Sequence, residues 1–380
     1  MARIIFAVII MFSLYASTNY YIAMKIYQWL GSFITHINIK VYAGIYILFV
    51  LSMLSVFLPI SSGVKKIISY AGSHWMGIYI YLLMFFVAAD LVVLLGCSVK
   101  MIPHPIPQRL RFYTGLIVIL LSVGMVVYGR YNASQIRFVS YDIQAKKTLP
   151  AEIKIVLVSD LHLGAINSEK NLSKIVRGIN GLEPDIVCIA GDIFNNNIDA
   201  LQNPSEAMAL LKSVTAKYGV YACLGNHDGG KTFREMTRFL EQSNVRLLND
   251  EYVTIDDRLV LFGRVDSRPI GGFDGLKRKN FADINIPANT DLPVVVMDHN
   301  PSNIKEYGNE TDLILSGHTH RGQMFPANLV TKAMYIIHYG RYQKDANSPH
   351  VIVTSGAGTW GMPMRIGSNN EIVTILLRGK

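Results

Sequence analysis

Five short apolar runs in the second part of the chain each end in a residue able to hold a metal. They are IKIVLVSD, DIVCIAGD, VYACLGNHD, PVVVMDH and DLILSGHTH. Runs of this length, rich in Val and Ile, read as buried strands. In open α/β sheets, sites form at the carboxyl ends of strands. The residues delivered there are Asp160 and His162, Asp192, then Asn226, His227 and Asp228, then His299, and finally His318 and His320. Imidazoles, carboxylates and one amide are a donor set for divalent transition metals. The pairs Asp160/His162 and His318/His320 have i, i+2 spacing. Both members can turn toward one site only where the strand breaks into a loop.

Between these runs the pattern becomes helical, in SEKNLSKIVRGIN, SEAMALLKSVTAKYG and TFREMTRFLEQSN, with Ser205 and Thr232 as expected N-caps. Beyond residue 244 the stretches VRLLNDEYVTI, RLVLFGRVD, HVIVTSGAG and EIVTILLR read as strands. Before the first site-bearing run, SQIRFVSYDI reads as an edge strand within a linker at 131–152.

The five clusters, in this order, resemble the calcineurin-like metallophosphoesterases. That family's pattern is D-x-H, G-D, G-N-H-D/E, H and G-H-x-H, and the resemblance covers roughly residues 150–380. The tails SGHTHRGQMFP and SGAGTWGMPMRIGSNNEI are similar to its bacterial membrane-associated branch. The resemblance implies a two-sheet α/β/β/α sandwich over residues 153–380 and two divalent metal ions, manganese, iron or zinc. It places Asp160, His162, Asp192 and His320 on one ion, and Asp192, Asn226, His299 and His318 on the other. Asp192 is then the bridge, since a carboxylate has two oxygens to share. Two such ions can hold a hydroxide between them and clamp a phosphoryl group. His227 stands where the family has its catalytic histidine, with Asp228 as the adjacent carboxylate to hold its charge. Phosphoserine/threonine phosphatases of this superfamily carry an aspartate and an arginine soon after G-D. Asn195 and Asn196 stand there in this chain, which counts against a protein phosphatase. Arg264 and Asp266 resemble a branch-specific pair near the site, and a surface ion pair explains them equally well. Gln323 is read as a pocket rim or a plain turn.

The first 130 residues are of another kind. Apolar segments at 4–24, 41–60, 75–99 and 112–129 predict a four-helix transmembrane domain, each about long enough to cross a bilayer. Residues 1–150 hold 12 Lys/Arg against Asp90 and Asp142 alone, so the formal charge of +9 belongs almost wholly to this part. Basic residues flanking apolar segments are interfacial anchors. The near-neutral remainder argues against nucleic acid as a partner. Lys146 and Lys147 tip the positive-inside count toward a cytoplasmic catalytic domain of a multi-pass cell-membrane protein. Cys97, Cys188 and Cys223 show no framework spacing and read as small core residues. Composition sets no oligomeric state.

The expected function is a membrane-anchored dinuclear-metal phosphoesterase. Its substrate is a phosphate ester or pyrophosphate, lipid-linked ones included. The alternative is a membrane sensor or transport-like protein with an auxiliary phosphoesterase domain. Its one sequence feature is Asp90, an ionisable residue deep in an apolar run.

Overall fold

The computed structural model describes residues 2–53, 62–167, 169–284 and 291–380. The chain divides into two compact units, Met1–Gly129 and Arg130–Lys380.

The first unit is helical: α1 (Ala2–Leu30), α2 (Ile39–Ser52), α3 (Ser62–Ser98) and the start of α4 (Gln108–Ala133). Ile22, Leu82, Phe86 and Val118 pack at its centre. Outward-facing residues such as Phe6, Leu48, Val92 and Leu120 are exposed and apolar. Three helices among the described residues are long and apolar enough to cross a membrane: Ile5–Leu30, Ile67–Ser98 and Gln108–Ala133. The expected second span at 41–60 is not among them. Helix α2 has 14 residues, which at 1.5 Å each reaches about 21 Å, short of a hydrocarbon core of about 30 Å. Residues 54–60 of that segment lie outside the described residues. Asp90 on α3 is paired with α1: the Lys25 ammonium meets its carboxylate at 2.6 Å and the Tyr21 hydroxyl donates to it at 2.7 Å. An ion pair between neighbouring helices satisfies the charge locally. Asp90 therefore lends no particular support to a transport path.

In the second unit the strands are β1 (Ile136–Gln144), β2 (Ile153–Val158), β3 (Ile186–Ala190), β4 (Val220–Cys223), β5 (Val245–Leu247) and β6 (Glu251–Ile255). They continue with β7 (Leu259–Gly263), β8 (Val294–Met297), β9 (Leu313–Ser316), β10 (Gly340–Tyr342), β11 (His350–Val353) and β12 (Asn370–Arg378). Helices α5 (Glu169–Asn180), α6 (Pro204–Lys212), α7 (Phe233–Gln242) and α8 (Ala327–Met334) accompany them. Two six-stranded sheets result, ordered β1-β12-β2-β3-β4-β5 and β10-β11-β9-β8-β7-β6. The runs β2-β3-β4-β5 and β7-β8-β9-β11 are parallel. Strands buried on both faces need apolar residues at every position. In β2, Ile155 and Leu157 face the layer between the sheets, with Cys188, Cys223, Val295 and Leu315. Val156 and Val158 face α5 and α7 through Ile175, Val176, Met236 and Leu240. The outer face of the second sheet, through Val260, Phe262 and Val296, is covered by Ile304, Tyr307 and Ile337.

The residues read as a linker's edge strand form β1, whose nine residues pair in parallel along all of β12. Ser205 is not an N-cap: α6 starts one residue earlier, and the Asn203 side chain accepts from Glu206 N. Thr232 sits at the N-cap position of α7 but spends its hydroxyl accepting from Ile198 N.

Candidate metal centre

All the site residues lie in loops at the carboxyl ends of β2, β3, β4, β8 and β9. Asp160, His162, Asp192, His318 and His320 have φ between 45° and 71°. Non-glycine residues avoid this left-handed region at a cost of about 1–2 kcal/mol each, and such strain persists where the surroundings over-determine it. Here it breaks each strand abruptly, so that both members of an i, i+2 pair can turn inward. Backbone bonds hold the breaks in place: Asp160 N donates to Gly191 O and His162 N to Asp192 O, each at 3.0 Å.

Two clusters form. Asp160, His162 and His320 are buried together, and Asp192, His299 and His318 make the second. Asp192 Oδ2 lies 3.2 Å from His299 Nε2 and 3.6 Å from His162 Nε2, so one oxygen faces both clusters. Its Oδ1 accepts from His227 N at 2.7 Å. Asn226 Oδ1 is 2.8 Å from His318 Nδ1 and joins the second cluster. The chemistry of the donors fits metal ions. His162 Nε2 and His320 Nε2 face each other at 3.1 Å. Burial holds the imidazoles of His162 and His318 down at about 3, and that of His320 well below its usual range. Neutral rings facing one another offer lone pairs to a common centre, the form that metal ligation needs. His299 differs: burial opposes its charge, but the Asp192 carboxylate beside it raises it well above the usual histidine range. Burial likewise works against ionised Asp192, and His299 overcomes it and depresses the carboxyl.

His227 is partly buried at the edge of the clusters, its ring 5.0 Å from that of His162. Its Nδ1 is 2.5 Å from Asn196 Oδ1. That carbonyl accepts from Nδ1–H, which leaves Nε2 with the lone pair of the neutral ring. Burial holds its pKa below the usual value. Asp228 does not support it. The Asp228 carboxylate accepts from Phe194 N and Gly225 N, both at 2.8 Å, and so fixes the loops after β3 and β4 instead. An anionic acceptor pairs better with two backbone donors aimed at it than with a ring already held elsewhere.

Arg264 and Asp266 are not a surface pair. Arg264 is fully buried and pairs with Asp250 at 2.8 Å and Glu306 at 3.1 Å. Asp266 accepts from Arg268 N. Asp298, the neighbour of His299, is held by Arg278 at 2.7 Å and by Tyr307. Two further residues lie within the SGAGTWGMPMRIGSNNEI tail, which gives no hint of the contacts they make. Arg365 is wholly buried and donates to His320 O at 3.0 Å and to Gly358 O at 2.5 Å, with a nitrogen 3.2 Å from His320 Nδ1. The Trp360 ring stands 5.8 Å from that of His227, and Gln323 binds the Trp360 backbone in both directions. The contacts of Arg365 with His320, of Gln323 with Trp360 and of Trp360 with His227 each join residues more than 35 positions apart, which no local pattern encodes.

The sequence matches known proteins. The family model for calcineurin-like phosphoesterases matches residues 153–322. A metallophosphoesterase of Campylobacter jejuni is 31% identical over 278 residues, 71% of each chain. A Danio rerio transmembrane protein with a metallophosphoesterase domain is 30% identical over 287 residues, 70% of this chain and 63% of its own. An Aquifex aeolicus metallophosphoesterase is 32% identical over 268 residues, 68% of this chain and 98% of its own. The chain belongs to the calcineurin-like metallophosphoesterase family of metal-dependent phosphoester hydrolases.

Proposed function

We propose that this chain is a membrane-anchored phosphoesterase that hydrolyses a lipid-linked or membrane-proximal phosphate ester or pyrophosphate. The observation that carries the reading is the position of Asp192 Oδ2 between two ligand clusters beside His227. Asp160, His162, Asp192 and His320 would hold one divalent ion, and Asp192, Asn226, His299 and His318 the other. When bound, the pair would supply an acidified water and a clamp on phosphoryl oxygens.

The remaining work falls to side chains. His227 binds a phosphate oxygen or protonates the leaving oxygen through Nε2. Burial lowers its pKa and so favours the neutral ring; an arriving phosphate opposes that shift and favours the acid role. Asn196 fixes the ring's tautomer, and Asp228 fixes the two loops that carry the ring and Asp192. The three membrane-length helices support an anchored enzyme. Lys146 and Lys147, close behind the last of them, support a cytoplasmic catalytic unit.

The test uses the full-length protein in lipid nanodiscs with added manganese. Inorganic phosphate is measured from a long-chain phosphatidate, a polyprenyl pyrophosphate and p-nitrophenyl phosphate, and nucleoside monophosphate from nucleotide sugars. The expected result is chelator-sensitive hydrolysis, fastest on a lipid. Hydrolysis of soluble esters with none of any lipid ester would sink the lipid-linked reading.

A further inference from the structure

Helix α8 has no buried residue. Leu329 and Val330 are each 56% exposed and Met334 70%, and Phe325 and Ile336 beside the helix are exposed too. A short helix that leaves its apolar side chains in water is unstable unless something covers them. Residues 313–344 contain no acidic side chain, but they do contain Arg321, Lys332, Arg341 and Lys344. Apolar side chains framed by basic residues and tyrosines, with no carboxylate, are the composition of a segment lying in a bilayer interface.

Position argues for the same occupant. The final residues of α4, a membrane-length helix, belong to the catalytic unit. Asn132 in that last turn donates to Arg365 O at 3.0 Å and Ser368 O at 2.8 Å, and Asn370 donates to Ala133 O at 2.6 Å. Phe325 N, two residues before α8, donates to Ile366 O in the same loop. The start of α8 is thus tied to the point where the chain leaves α4. Both ends of the helix also reach the metal centre. On one side Gln323 holds the backbone of Trp360, itself half exposed and packed against His227. On the other, Tyr335 stands edge-on to His318, and the Thr319 hydroxyl donates to His338 O at 2.6 Å.

We propose that α8, with Phe325, Ile336 and Trp360, inserts into the bilayer interface and forms the lipid-side rim of the metal centre. A lipid's chains would stay in the membrane while its phosphate reaches His227. This deepens the function proposed above and rests on it for the substrate, but membrane contact can be read without any turnover.

Full-length protein with Cys97→Ser is placed in nanodiscs of phosphatidylcholine and phosphatidylglycerol. A nitrobenzoxadiazole label is attached through Val330→Cys, Met334→Cys or, for comparison, Asp257→Cys, which is exposed on the β6–β7 hairpin. Doxyl-labelled lipid should quench positions 330 and 334 several-fold more than position 257. Equal quenching at all three overturns the proposal. So does shielding that depends on protein concentration and not on lipid, which would place a second copy of the chain on this face. In a second arm, Leu329→Ser with Met334→Ser should lower the ratio of phosphatidate to p-nitrophenyl phosphate turnover several-fold, and an unchanged ratio counts against the rim. Strong quenching without hydrolysis of any probe would uphold the bilayer contact and refute the enzymatic reading alone.

Discussion

Gly356 is the most direct handle on one ligand cluster. It lies in the loop after β11 with φ +84°, and a methyl group there would sit 2.7 Å from Asp160 Cβ and 3.2 Å from Asp160 Oδ2. Carbon atoms meet comfortably at about 3.5 Å, so Gly356→Ala forces Asp160 back by about 0.8 Å. Metal–ligand distances tolerate about 0.2 Å. Asp160 cannot escape sideways: it is fully buried and its φ of 56° is fixed by the bond to Gly191 O. We expect metal at the Asp160, His162 and His320 cluster to bind about 10- to 100-fold more weakly, the scale of a disturbed supporting contact. The Asp192, His299 and His318 cluster should keep its ion. The left-handed alanine adds about 1–2 kcal/mol of strain, which lowers the unfolding midpoint by about 2–8 °C in a domain of this size. Elemental analysis of the purified full-length protein, with titration of manganese into the stripped form, reads the first effect. Calorimetry reads the second. A variant that holds both ions at wild-type affinity would refute the placement of Asp160 as a ligand.

The other predictions concern residues between and beside the clusters. Asp192→Asn removes the oxygen facing both clusters, and metal analysis should find both ions lost; normal metal content with normal turnover would end the dinuclear reading. His227→Ala should keep both ions yet lose about 100- to 10,000-fold in turnover on an alkyl phosphate. The loss on p-nitrophenyl phosphate should be smaller, because that leaving group needs no proton; equal losses would assign His227 to phosphate binding. Asn196→Ala should reproduce a weaker form of the same pattern, about tenfold, and an unchanged kcat on alkyl phosphates would show the tautomer needs no such hold. Asp228→Asn turns an amide toward one of two buried backbone donors, so it should cost about 1–3 kcal/mol in thermal unfolding with the leaving-group dependence unchanged; a lost leaving-group dependence would return Asp228 to the catalytic group.

The residues that converge on the site are legible because each follows an apolar strand, and strand ends in a parallel sheet point to one edge. What supports them is not. Asp228 follows His227 in sequence, which suggests a partnership, but adjacent residues on a loop project apart, and the carboxylate finds two backbone donors instead. Asn196 takes the place beside His227 from a loop 31 residues earlier. Arg264 reads equally well as part of a branch-specific pair near the site or as a surface ion pair, because arginines usually lie at the surface. Its pairing with Asp250 and Glu306 and its bond to Lys279 O make its burial tolerable. The second apolar segment misleads for a simpler reason: composition gives the extent of an apolar stretch but not where a helix stops, and α2 ends at Ser52.

The pairing of β1 with β12 sets a timetable for synthesis. Strand β1 emerges directly behind α4, yet its partner residues begin only at Asn370. At ribosomal rates of about 5–20 residues per second, β1 waits on the order of ten to fifty seconds with its backbone donors and acceptors unmatched. During that interval Phe138 and its neighbours stay unpaired just behind α4. Strands β2 to β5 can assemble meanwhile, since their parallel pairings need nothing from β12. A nascent chain halted before residue 370 would therefore carry a nearly complete set of ligand loops on a sheet with an open edge, a natural substrate for quality-control proteases.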